Sequence, residues 1–165
     1  MGNRKLATEI AASSELRGVA TTAVAMLIDG QVGTLAHVGD SRVYRLRKGQ
    51  REQLTRDHSW VEELLQVAAP TEAAALVHPW RHIVTPALSG SEDLEVDLQE
   101  LPLESGVRSL LCSDGVFTVL ADGQIADVLR READLDEACQ ALVRGTNEGG
   151  GPDNVTTVVV EVDAV

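Results

Sequence analysis

The chain alternates between stretches of strand-like and helix-like periodicity, and its first strong signal is the apolar run Val19 to Ile28, broken only by Thr21 and Thr22. Asp29-Gly30 follows it, a residue pair suited to a two-residue hairpin, and Gln31 to Val38 then alternates with Val32, Thr34, Ala36 and Val38 in phase. An antiparallel pair is predicted. After Gly39-Asp40-Ser41 the chain resumes as Arg42 to Arg47, turns at Lys48-Gly49 and continues through Glu52 to Leu54, which predicts a meander of at least four strands. Upstream, Leu6, Ile10 and Leu16 among Ala and charged residues predict an amphipathic helix ended by Gly18. Helical spacing returns at Trp60, Val61, Leu64 and Leu65 and again over Ala73 to Val77, closed by His78-Pro79. Strand-like segments Arg81 to Thr85 and Leu94 to Leu101 lead into a central strand, Val107 to Cys112; helices over Gln124 to Arg130 and Asp136 to Arg144 precede a last strand from Val155. Strands in runs followed by helices in runs predict an α+β domain with a largely antiparallel sheet core and helices packed outside.

Two of these strands end in acids. Ser109-Leu110-Leu111-Cys112 is apolar enough to be covered on both faces, and Ser113-Asp114-Gly115 stops it with a carboxylate and a residue that lets the backbone turn at once. Gly151-Pro152-Asp153-Asn154 places a second acid at the mouth of Val155 to Val160. Two strand-edge aspartates converging on one point make an oxygen-only site suited to a hard divalent cation. The same residues also suit turns and helix caps, which Asp and Asn favour.

Composition narrows the function classes. At 165 residues the chain is one domain, 1–165, and its 44% hydrophobic content supports a packed core. The net charge of -12 excludes nucleic acid and anionic membrane surfaces as partners, since polyphosphate binding needs clustered Lys and Arg. Cys112 and Cys139 lie in apolar segments without metal-ligand spacing, so they read as reduced structural thiols. Leu6 stands where a myristoylation motif needs Ser or Thr, and the Val19 to Ile28 run is half a membrane span long; a cytoplasmic protein is expected.

Four segments in order, His37-Val38-Gly39-Asp40-Ser41-Arg42-Val43-Tyr44, Leu54-Thr55-Arg56-Asp57-His58-Ser59, Leu110-Leu111-Cys112-Ser113-Asp114-Gly115 and Gly151-Pro152-Asp153-Asn154-Val155-Thr156, resemble successive motifs of the PPM-type metal-dependent serine/threonine protein phosphatases. The resemblance covers most of the chain. It implies a sandwich of two antiparallel β-sheets flanked by helices, in α-β-β-α layers, with metals in a cleft between the sheets. It also implies that Asp114 and Asp153 hold a catalytic Mn²⁺ or Mg²⁺, that Asp40 joins Asp114 at an accessory third metal, and that residues 58–90 form a flap beside the active site. Within that flap, Pro86 stands where many relatives have Arg. The partners implied are a phosphoprotein substrate and a serine/threonine kinase whose work the phosphatase opposes.

One part of the family pattern has no counterpart here. Relatives begin with a segment carrying a phosphate-binding Arg and an Asp-Gly motif whose aspartate bridges the two catalytic metals, and nothing before Arg17 resembles it. The resemblance therefore implies a domain incomplete at its N-terminus, either a fragment or a degenerate, non-catalytic interaction or regulatory module. Hydrolysis of a phosphate monoester needs an activated water and neutralised phosphoryl charge, which a pair of cations supplies. With the bridging acid absent, weak activity is expected of the chain as written. His37 reads as a satisfied sheet histidine, Arg42 as a brace for the sheet, and Asn154 as a hydrogen-bonding neighbour of the metal ligands. A zinc reading of His58, His78 and His82 is set aside, because no acid or thiol stands near them at ligand spacing.

Overall fold

The computed structural model describes residues 2–59, 62 and 86–163. Seven strands form two antiparallel sheets. The first, in the order β1-β2-β5, contains β1 (Ala23–Asp29), β2 (Val32–Val38) and β5 (Asp97–Pro102). The second, in the order β4-β3-β6-β7, contains β3 (Arg42–Arg47), β4 (Gln50–Gln53), β6 (Arg108–Cys112) and β7 (Thr157–Glu161). Helix α1 (Gly2–Ala12) precedes the strands, while α2 (Asp114–Val119), α3 (Asp122–Arg131) and α4 (Leu135–Glu148) fill the interval between β6 and β7.

The expected four-strand meander is corrected by this topology. β1 and β2 pair as predicted, with the turn at Gly30-Gln31, one position beyond the expected Asp29-Gly30, and β3 and β4 also pair, but β2 and β3 lie in different sheets. The chain crosses at Gly39, whose φ of +105° and close contact with Thr22 leave no room for a side chain. Hydrophobic periodicity identifies strands but not which neighbour each one pairs with, so the switch of sheet was invisible to it.

Alternation along β3 and β6 explains why both are so apolar. Tyr44, Leu46, Leu110 and Cys112 face outward, against Val116, Ile125, Leu129 and Leu142 from α2, α3 and α4 and against Leu120 from the link between α2 and α3. Val43 and Leu111 face the other way and pack on Leu35 and Leu101 of the first sheet. The central strand β6 is thus buried on both faces, which is why it reads as a continuous apolar run rather than a clean alternation. The covering helices are well terminated: Asp134 accepts the Glu137 N–H at 2.9 Å to start α4, and the Gln124 side chain accepts the Ala121 N–H at 2.9 Å at the start of α3. Cys112 and Cys139 are free thiols, and burial pushes the Cys112 thiol up to about 12. No described helix is long and apolar enough to cross a membrane.

In α1, Asn3, Leu6, Ala7 and Ile10 form a half-buried stripe, and no residue of the helix is fully buried. Asn3 ties the helix to the segment before β5, donating to the Ser91 carbonyl at 2.6 Å and accepting the Gly90 N–H at 2.7 Å. The helical segments expected over Trp60 to Val77 and the strand over Arg81 to Thr85, which make up most of the 58–90 flap, fall outside the described residues.

Candidate metal centre

The β6–β7 ladder does not stop at its last strand residues. Beyond the Cys112–Thr157 pair, Ser113 N donates to the Thr156 carbonyl at 3.1 Å. The Ser113 hydroxyl donates to the Asn154 carbonyl at 3.2 Å and accepts the Thr156 N–H at 3.0 Å. These three bonds tie the end of one strand to the start of the other, so the loops carrying Asp114 and Asp153 leave the sheet side by side. Gly115 makes the approach possible, because its Cα lies against the Asn154 carbonyl and a methyl group there would overlap it. A short helix starts at Asp114 itself, a position that the sequence left open between a turn and a helix cap. Asp114 is half-buried, and Asp153 is exposed, with its carboxylate accepting the Asn154 N–H at 2.7 Å.

Asp40 enters the site from the crossover. Partial burial raises its carboxyl pKa above the usual carboxylate range, and the charge of Asp114 is the next largest cause. The two acids therefore share one electrostatic field. Arg42 partly offsets it but is committed elsewhere: its Nε donates to Asp57 Oδ1 at 2.8 Å, its Nη2 to Asp57 Oδ2 at 2.6 Å and its Nη1 to the Tyr44 hydroxyl at 3.1 Å. The guanidinium also stacks 3.7 Å from the centroid of Phe117. Arg42 thus braces β3 against the loop after β4 and α2, and is not free to neutralise the charge that Asp114 exerts on Asp40. An oxygen-only donor set under like-charge repulsion fits a hard divalent cation, which would relieve the repulsion.

The histidines depart from the sequence reading. His37 is 2% exposed, and neither ring nitrogen has a hydrogen-bond partner among the described residues, so it is not a satisfied sheet histidine. Burial is the main reason its pKa is lowered, with His58 next. The acid that sequence spacing did not supply for His58 is Asp97, whose Oδ2 lies 3.0 Å from His58 Nε2. The two are 39 positions apart, and only strand register brings them together, by setting Asp97 opposite His37 across β2 and β5. His78 and His82 fall outside the described residues.

Known proteins share this arrangement of sheets and motifs. The description Protein phosphatase 2C matches residues 3–64. The chain is 37% identical over 161 residues to the serine/threonine protein phosphatase PstP of Mycobacterium tuberculosis, covering 98% of this chain and 31% of that protein. The crystal structure of the M. tuberculosis phosphatase PstP/Ppp superposes with a TM-score of 0.91 at 36% identity, covering 98% of this chain and 68% of the crystallised one. This chain belongs to the PPM (protein phosphatase 2C) family. A crystal structure of the PstP catalytic domain in complex with two manganese ions is also similar, with a TM-score of 0.88 at 34% identity over 98% of this chain and 67% of that one. The chain spans less than a third of the length of the curated PstP protein. Against the PPM fold, the two sheets flanked by helices are as expected, and Asp40, Asp114 and Asp153 all stand where strands end or the chain changes sheet.

Proposed function

We propose that residues 1–165 form a single PPM domain whose activity is metal-dependent hydrolysis of phosphoserine and phosphothreonine in proteins, opposing a serine/threonine kinase in the cytoplasm. The observation that carries this reading is the placement of Asp114 and Asp153 at the tied ends of β6 and β7, in a chain whose relatives include a phosphatase crystallised with two manganese ions. Asp114 and Asp153 would hold a Mn²⁺ or Mg²⁺ ion, and Asp40 would share an accessory ion with Asp114. Bound cations of this kind lower the pKa of water and offset the charge of a phosphoryl group.

The chain's own residues supply the framework for that chemistry. The Ser113 hydroxyl and the Ser113–Thr156 backbone bond keep the starts of the Asp114 and Asp153 loops adjacent, although the three aspartates do not bring their ligand atoms within 4.8 Å of one another without an ion. Arg42 holds β3 through Asp57 and stays out of the acidic cleft. These aspartates would hold one hard cation loosely and could not fix a second, so slow turnover is expected of this chain.

Two measurements test the reading. Calorimetric titration with Mn²⁺ should give binding that Asp114→Ala and Asp153→Ala each weaken at least tenfold; unchanged binding in both variants would remove the site assignment. With a phosphothreonine peptide, slow, chelator-sensitive phosphate release that Asp114→Ala abolishes is expected. Mn²⁺ binding without any release would assign the chain to the regulatory class of module instead.

A further inference from the structure

We propose that His37, His58 and Asp97 form a second metal site, for a borderline transition cation of the Zn²⁺ class, distinct from the three-aspartate centre. Among the described residues this is the group of three that brings one ligand atom from each within 4.8 Å of the others. The site is built rather than incidental. His37 and Asp97 are cross-strand partners in the β2–β5 register, so both project from the inner face that also carries Leu35. His58 arrives from the loop after β4 and is held by Gly39 in both directions, its N–H donating to the Gly39 carbonyl at 2.8 Å and its Nδ1 accepting the Gly39 N–H at 3.3 Å. The two imidazole rings lie 4.7 Å apart, centroid to centroid.

His37 is the observation that calls for a ligand. The Ser41 backbone lies near the buried His37 ring, but neither ring nitrogen makes a hydrogen bond of ordinary geometry among the described residues, a shortfall that in native structures calls for an explanation. Burial also lowers the pKa of the ring, which favours the neutral form that ligates metal. A cavity of about 310 Å³ adjoins it, lined by Leu35, His37, Leu54, Thr55, Asp97 and Arg56, the last paired with Glu62 at 3.0 Å, with space for an ion and its water. Two imidazole nitrogens and one carboxylate oxygen select Zn²⁺ or Co²⁺ over the oxygen-seeking Mg²⁺ and Ca²⁺, and three protein ligands leave a fourth position for water.

The hydrogen bonds give the site a signature. Because Gly39 N–H donates to His58 Nδ1, the His58 ring proton sits on Nε2 and points to Asp97. An ion on Nε2 displaces that proton to Nδ1, which then faces the Gly39 N–H donor to donor, and the 3.3 Å bond is lost. Binding is therefore expected to switch the His58 tautomer.

The test uses the 165-residue chain with excess Mg²⁺ present to occupy the aspartate centre. Zn²⁺ should bind with one-to-one stoichiometry and at least 100-fold more tightly than Mn²⁺. Co²⁺ should give visible d–d bands without the near-ultraviolet thiolate charge transfer that Cys139 would produce. His58→Gln and Asp97→Asn should each weaken Zn²⁺ at least tenfold, while Cys139→Ser and the double variant His78→Asn/His82→Asn should bind as the unaltered chain does. Long-range ¹H–¹⁵N spectra of the unaltered chain should show His58 passing from the Nε2–H to the Nδ1–H form on Zn²⁺ addition, a readout that does not depend on any variant folding. Absence of Zn²⁺ binding, undiminished binding in both ligand variants, loss in either control, or an unmoved tautomer would each overturn the proposal.

Discussion

The two sheets of the sandwich are built to different standards. In the four-stranded sheet, Leu110 and Val43 are fully buried on opposite faces, with helices covering one and the partner sheet the other. The three-stranded sheet is well packed only inward, through Leu35 and Leu101; among the described residues its outer side presents Leu27 at 69% and Leu98 at 71% exposure. The candidate centres divide along the same line. Asp114 and Asp153 are carried by β6 and β7 of the four-stranded sheet, and the His37–Asp97 pair by the inner face of the other. The difference teaches that the candidate acids Asp114 and Asp153 leave from the sheet whose central strand is covered on both sides, and the His37–Asp97 pair from the one that, among the described residues, is covered on its inner side alone.

Substitutions can break or sharpen this contrast. The largest effect is expected from Leu110→Ala, which should cost about 2–5 kcal/mol in urea unfolding, whereas Leu98→Ala should stay within about 0.5 kcal/mol. Comparable losses at the two positions would show that the sheets are equally buried in solution. Next in size is Gly115→Ala, where the new methyl meets the Asn154 carbonyl. It should destabilise the fold by about 1–3 kcal/mol and weaken Mn²⁺ at least tenfold by parting the two acid loops. Stability lost with Mn²⁺ affinity intact would show that the loops need not be adjacent. The smallest effect should come from Asp40→Asn in the metal-free protein. Removing one member of a like-charged pair should raise stability by about 0.5–1 kcal/mol at neutral pH, seen as a higher Tm. A lower Tm would mean that the Asp40 charge is already balanced.

Much of this was legible in the chain itself. The apolar runs located β1, β3 and β6, Asp29-Gly30 located the first hairpin, and acids at strand ends marked Asp114 and Asp153 as candidates. These are local signals, because side-chain alternation and turn chemistry are written within a few residues. What escaped was nonlocal. That β2 and β3 belong to different sheets depends on the Gly39–Thr22 contact, and that His37 meets Asp97 depends on how two strands 60 positions apart slide against each other. The bond network of Ser113 was hidden for a related reason, since Ser-Asp-Gly reads equally well as a plain cap or turn. His37 carried the one overlooked hint, an imidazole in phase with Leu35 on the inward face of an alternating strand.

The Ser113 tie also bears on how the chain tolerates change in length. Because the last bonds between the two strands lie at Ser113 and Thr156, the ladder acts as a ruler, and everything between Asp114 and Asn154 is an excursion that departs from and returns to the same mark. Residues gained or lost in the Gly149-Gly150-Gly151 run would be absorbed before the chain reaches Asp153. A single residue gained within β7 would instead turn its inward side chains outward and carry the Asp153 loop out of step with Asp114. Insertions in this part of the molecule are therefore expected to be frequent on one side of Pro152 and nearly forbidden on the other.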